Sequence, residues 1–261
     1  MEKFGCTEAI YHRDETKCEV EVTVLASIPF AHWDDAIKKI FKEASDDKSL
    51  IITDSTIFYA KGGGQPSDTG TMSPPDQTST FTVESVQKFP LGTIIHLGSY
   101  SGTPFKEQTS VIQKINQDAR KLHSQIHDAG HILSSAIRRL GIPGLREVKA
   151  QHYPGTAFVD FQGIIQGDKK EEMERIANEI VKGDRSIDVR WWSRDELKEK
   201  SWTMPEDEGG KEDLIRAVEI EGEGAYMCGG THMRSTALVG KIKVRKIKRQ
   251  QGITRVSYEL V

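Results

Sequence analysis

Two short motifs hold the side chains best suited to chemistry. His127 and His131 stand four apart in HDAGH, and Cys228 and His232 stand four apart in CGGTH. On a helix, residues four apart share one face, one turn above the other, so the two histidines can converge on one point. In CGGTH the glycines allow a tight turn and a close backbone approach, so cysteine and histidine can converge as well. Three imidazoles and a thiolate suit a divalent transition metal, and nitrogen with sulfur favours zinc at about 2.0–2.3 Å per bond. An ion there would staple two distant segments into one site. His123, one further turn back on the same face, is either a neighbour of that site or a solvent-facing helix residue.

The elements that must position these residues can be read from periodicity. Leu122, Ile126, Ala129, Leu133, Ala136, Ile137 and Leu140 recur at three and four, which predicts a long amphipathic helix ended by Gly141 and Pro143. The two histidines fall beside its apolar stripe. Upstream, Glu19–Leu25 and Thr80–Val86 alternate polar and apolar as half-buried strands do, and Thr93–Leu97 is a short apolar strand. Residues 34–44 have Ile37, Ile40 and Phe41 at helical spacing. GGGQPSDTG, 62–70, is a loop, and 101–108 a connector. Downstream, 153–163 reads as a strand or hairpin, 169–182 as a second helix, 187–191 as a strand and 194–200 as a short charged helix. Met204–Gly210 is an acidic loop. Strands follow at 214–220, 241–248 and 254–260, with the turn EGEGAYM before CGGTH. The expected fold class is α+β: a β-barrel-like N-terminal domain over 1–108, then an α+β zinc-binding domain over 109–261.

Composition narrows the function classes. At 261 residues the chain can hold two modest domains. Its net charge of −3 means that any nucleic-acid partner needs a local basic patch. Six such residues crowd the segment 241–249: Lys241, Lys243, Arg245, Lys246, Lys248 and Arg249. No apolar run reaches the roughly 18–20 residues of a membrane span. The polar start of the chain resembles neither a secretion signal nor a transit peptide, and three cysteines argue against a disulfide framework. A cytoplasmic protein with no membrane partner is expected. Trp191, Trp192 and Trp202 are expected to pack, and Cys6 and Cys18 have no histidine pair with which to hold a second metal.

HDAGHIL followed far downstream by CGGTH resembles the signature of alanyl-tRNA synthetase editing domains. Ser55–Gly70 is similar to the glycine-rich motif that precedes that domain. Arg120–Gly141, Val148–Gly163 and the closing GITRVSYEL resemble the free-standing AlaX trans-editing proteins. Threonyl-tRNA synthetase editing domains share the histidine and cysteine pattern but lack a GGGQPSDTG-like region. The stretch 31–50 departs from the family by its length. The resemblance implies hydrolysis of mischarged Ser-tRNA(Ala), and to some degree Gly-tRNA(Ala). It gives His127, His131, Cys228 and His232 to zinc and the acceptor end of tRNA(Ala) as partner. Separately, no nucleotide cofactor and a monomeric chain are expected.

Ester hydrolysis needs an activated water and a stabilised oxyanion, and zinc can supply either. A four-ligand set is closed, however, and closed sites are usually structural. The metal therefore either acts on water or builds the pocket wall. Gln151 and His152, on the hairpin expected to face the metal, are candidates to position water, or else ordinary strand residues. Ser124 and Thr231 could recognise a serine hydroxyl, or only bond the backbone. Gly62, Gly63, Gly64 and Gln65 could approach the tRNA with backbone N–H groups, and Lys241, Lys243 and Arg245 could meet its phosphates. The rival readings are a non-enzymatic tRNA-binding module with a structural zinc and a small-molecule zinc hydrolase.

Overall fold

The computed structural model describes residues 4–33, 35–42, 44–201 and 214–261. Trp202 and the acidic loop expected over Met204–Gly210 lie outside them. Two compact units are found: Met1–Gly62 with Pro66–Arg120, and Gly63–Gln65 with Lys121–Val261. The second unit thus includes three residues of the glycine-rich loop.

In the first unit six strands close into a barrel. They are β1 (Glu19–Pro29), β2 (Ser49–Thr53), β3 (Gly70–Ser73), β4 (Thr80–Lys88), β5 (Ile94–Ser101) and β6 (Ser110–Ile115). The order is β1-β2-β5-β4-β3-β6, and β6 returns to β1 with Val111 opposite Val22. Alternation in β1 puts Val22 and Val24 in the barrel interior, and a register shift after Val24 sends Ala26 to the other apolar cluster. Three barrel strands, β2, β3 and β6, are not expected from the sequence, because none shows a clean polar–apolar alternation. β2 is buried on both faces: Ile51 joins one apolar cluster, while Leu50 and Ile52 join another. β6 lies two residues before a helix and is easily merged with it. The helix expected over 34–44 shrinks to one turn, Asp35–Lys38. Among its described side chains only Ile37 is buried, with Phe41 buried just beyond it; Ile40 is largely exposed, and so short a segment cannot hold itself helical.

The long helix α1 (Gln117–Arg139) begins in the first unit and continues into the second. Residues 126–137 are all buried, so the helix is enclosed on every side there rather than along a stripe. Leu122, expected on that stripe, is exposed. The second unit then adds β7 (Arg146–Gln151), β8 (Phe158–Gln162), α2 (Lys170–Lys182), β9 (Ile187–Trp192), α3 (Arg194–Lys200), β10 (Ile215–Ile220), β11 (Gly224–Met227), β12 (Ile242–Gln250) and β13 (Ile253–Leu260). EGEGAYM is therefore more than a turn, because its last residues form β11. One sheet runs β12-β13-β8-β7, the other β9-β10-β11. Their core comprises Ile132, Leu133, Val159, Met173, Ile180, Val218 and Val256, all fully or almost fully buried. Each such side chain contributes roughly 1.5–3 kcal/mol. Trp191 is 44% exposed, contrary to the packing expected of it, and Trp192 lies under the Lys200 ammonium.

Candidate metal centre

α1 carries His127 and His131, and the segment after β11 carries Cys228 and His232. One ligand atom from each falls in a single buried group, all within 4.8 Å of one another. A tetrahedral zinc with ordinary bond lengths would hold its ligands about 3.4–3.8 Å apart, so the set needs only a small contraction. The glycines of CGGTH matter through close approach. A Cβ on Gly230 would lie 2.2 Å from His127 Cε1.

Hydrogen bonds fix where the histidine lone pairs point. The Thr231 N–H donates to Gln65 Oε1 at 3.1 Å, which settles which end of that amide is oxygen. The same oxygen accepts from His127 Nδ1 at 2.7 Å, so the His127 proton sits on Nδ1. His127 Nε2 is left as a lone pair, 3.3 Å from Cys228 Sγ. His232 follows the same rule, with Nδ1 donating to Asp128 Oδ1 at 2.6 Å. The other Asp128 oxygen accepts from the Met233 N–H at 2.6 Å. His131 Nε2 is buried with no hydrogen-bond partner, the kind of orphan that a metal would satisfy. Outer partners on the far nitrogen, as on His127 and His232, are what metal-binding imidazoles normally have. The residues present fit a zinc ion.

Charge supports the same fit. Burial pushes His127 and His131 well below the usual histidine range, so both favour the neutral form that can ligate. Burial works against a charged His232 too, but Asp128 and the Cys228 sulfur outweigh it and hold that ring protonated. The cluster therefore favours a positive charge at this point, and a divalent ion can take the place of that proton.

Of the other expected site residues, the structure brings four to the cluster: His152, Ser124, Thr231 and Gln65. His152 stacks on His127 with ring centres 4.2 Å apart. Its Nδ1 lies 2.7 Å from the Tyr258 hydroxyl, which donates to the Ile126 carbonyl at 2.9 Å. Since that carbonyl can only accept, Tyr258 has spent its hydrogen and must accept from His152, whose Nε2 keeps the lone pair. Ser124 Oγ and Thr231 Oγ1 are 2.7 Å apart and buried, and Thr231 also receives Gln65 Nε2 at 2.9 Å. Gln151 faces elsewhere and donates to Thr156 within its own hairpin. Gly62 and Gly63 are exposed, and the Gly64 carbonyl takes the His152 N–H at 2.8 Å. Gln65, expected to approach tRNA, is fully buried on His127 and Thr231. Lys243 and Arg245 are exposed on β12, an edge strand, with Lys241 just before it; Arg245 lies 3.8 Å from Glu259. His123 is half-buried, and Cys6 and Cys18 are free thiols. Sequence reasoning missed Asp128 and Tyr258. Asp128 was visible as the acidic residue inside HDAGH, whereas nothing local to Tyr258 marks it.

Comparison with known proteins agrees with this geometry. Residues 4–119 match the family described as tRNA synthetases class II (A), and residues 215–257 match the threonyl and alanyl tRNA synthetase second additional domain. The chain is 31% identical over 258 residues to the alanyl-tRNA editing protein AlaX-M of Methanosarcina barkeri, covering 97% of this chain and 98% of that protein. The chain belongs to the AlaX family of alanyl-tRNA editing proteins. It is also 32% identical over 257 residues to the alanine–tRNA ligase of Pyrococcus abyssi, and 30% identical over 260 residues to that of Halobacterium salinarum. This AlaX-family chain spans about a quarter of those ligases, 26% in each case. Among the described residues no helix is long and apolar enough to cross a membrane.

Proposed function

We propose that this chain is a zinc-dependent trans-editing deacylase that hydrolyses Ser-tRNA(Ala), and to a lesser degree Gly-tRNA(Ala). One observation carries the reading: a buried Cys/His₃ group with His152 stacked against it, in a chain alike over its whole length to an alanyl-tRNA editing protein. His127, His131, Cys228 and His232 would hold the ion. When bound, zinc supplies a Lewis acid for the ester carbonyl or for water.

The chain's own residues do the rest. His152 orients the attacking water by accepting its hydrogen bond at Nε2, the nitrogen that Tyr258 leaves unprotonated. Burial holds this histidine at about 3, so it enters the reaction neutral. Ser124 and Thr231 have two hydroxyl hydrogens between them and spend one on each other. The second is available to a serine side chain. An alanyl ester leaves it unmatched, which discriminates by several kcal/mol when the group is buried. Gln151 supports the hairpin that carries His152. Gly62, Gly63 and Gly64 lie beside the acceptor end, while Lys241, Lys243 and Arg245 meet phosphates. The protein works as a cytoplasmic monomer without a nucleotide cofactor.

The closed ligand set favours a second reading, a tRNA-binding module with structural zinc. Single-turnover deacylation with His152→Gln separates the two. The deacylase reading expects zinc content to be kept and hydrolysis to fall about 10²–10⁴-fold. A wild-type protein that binds tRNA and zinc yet leaves the ester intact would establish the second.

A further inference from the structure

The second unit contains a cavity of about 470 Å³ whose lining includes none of the four candidate ligands. That volume suits a small molecule. Ile137, Leu145 and Phe161 give it an apolar wall, and Arg138, Arg146 and Glu147 line it as well. Most polar groups around it are already engaged. Glu223 takes Arg139 and also Arg185 at 2.5 Å. Arg138 donates to Ser135 at 2.9 Å and to the Tyr226 hydroxyl. Two groups are left over. Glu147 Oε2 is buried with no hydrogen bond of good geometry, and burial pushes its carboxyl up, an effect partly offset by the Ser134 hydroxyl and Arg138. The exposed Arg146 makes no side-chain hydrogen bond or ion pair among the described residues.

A buried acceptor without a donor is costly, and a ligand that supplies one relieves the cost. Glu147 Oε2 matches an ammonium, a guanidinium matches a carboxylate, and the wall matches a hydrocarbon chain. We propose that this cavity binds a free α-amino acid with an aliphatic side chain. Ammonium sits on Glu147, carboxylate on Arg146 and side chain against Phe161. The cavity adjoins the metal centre through Tyr226, whose ring lies 4.5 Å from that of His131 and whose hydroxyl is held from the cavity side by Arg138. The inference does not depend on the deacylase reading.

Calorimetry on the zinc-loaded full chain tests it with three probes: L-leucine, isoamylamine, which lacks the carboxylate, and 4-methylvalerate, which lacks the ammonium. Leucine is expected to bind in the millimolar range or tighter, and each single-charge analogue about tenfold or more weakly. Glu147→Gln should weaken leucine about tenfold, and Ile142→Trp, which fills the cavity from a loop, should abolish binding. If Glu147→Gln fails to fold, Ile142→Trp carries the test alone. No leucine binding, equal binding of either analogue, or wild-type affinity in the folded variants would overturn the proposal.

Discussion

At the scale of residues, the four candidate ligands were legible because chemistry and spacing coincide: i and i+4 on a helix, and i and i+4 across a glycine turn. Their supports were not. Gln65 meets His127 across 62 positions and His152 meets Tyr258 across 106, and no local pattern encodes such pairings. Asp128 gives the clearest test of the supports. Its carboxylate orients His232 and stabilises positive charge at the centre. Asp128→Asn should keep the fold but weaken zinc binding about 10–100-fold, as measured by competition with a chelator. Unchanged affinity would mean that His232 needs no orienting partner.

At the scale of elements, periodicity identified the long helix and the alternating strands. It failed where burial on both faces hides the period, as in β2, or where few anchors support a helix, as after Asp35. It also underestimated α1, which is enclosed all round because β-sheet and loop residues cover the face that carries His127 and His131. Gly130 shows how tight that enclosure is. A Cβ there would lie 2.4 Å from His152 Cε1. In an open helix Gly→Ala stabilises by about 1 kcal/mol. Here Gly130→Ala should instead destabilise by about 1–3 kcal/mol in a denaturant titration and displace His152. A gain in stability would refute the described packing.

The barrel carries its own pH-dependent group. Burial lowers His96 to about 4 against an ordinary value of 6.5, although the Ile51 carbonyl opposes the shift. The unfolded chain binds a proton at this residue between those values and the folded chain does not. Stability is thus complete above about 6.5 and is lost as pH falls toward 4, by at most about 3 kcal/mol. Denaturation midpoints of wild type and His96→Asn should converge on acidification across that window. Parallel curves would show that His96 is not buried neutral.

At the scale of the whole molecule, net charge and local charge point in different directions. The chain carries −3 overall, yet the edge strand β12 and the residue before it present Lys241, Lys243 and Arg245. If these meet phosphates, replacing all three by alanine should weaken tRNA binding and flatten its salt dependence by about 0.7–0.9 logarithmic units per lost contact. An unaltered salt slope would move the contact surface elsewhere.

The central claim joins the metal centre to a reaction. Purified zinc-loaded protein, mixed with Ser-tRNA(Ala) and with Ala-tRNA(Ala) in parallel, measures it most directly. Fast release of serine with the alanyl ester left intact is the predicted result, lost when zinc is stripped and restored when zinc is returned. Equal persistence of both esters, or hydrolysis that continues undiminished in the stripped protein, would contradict it.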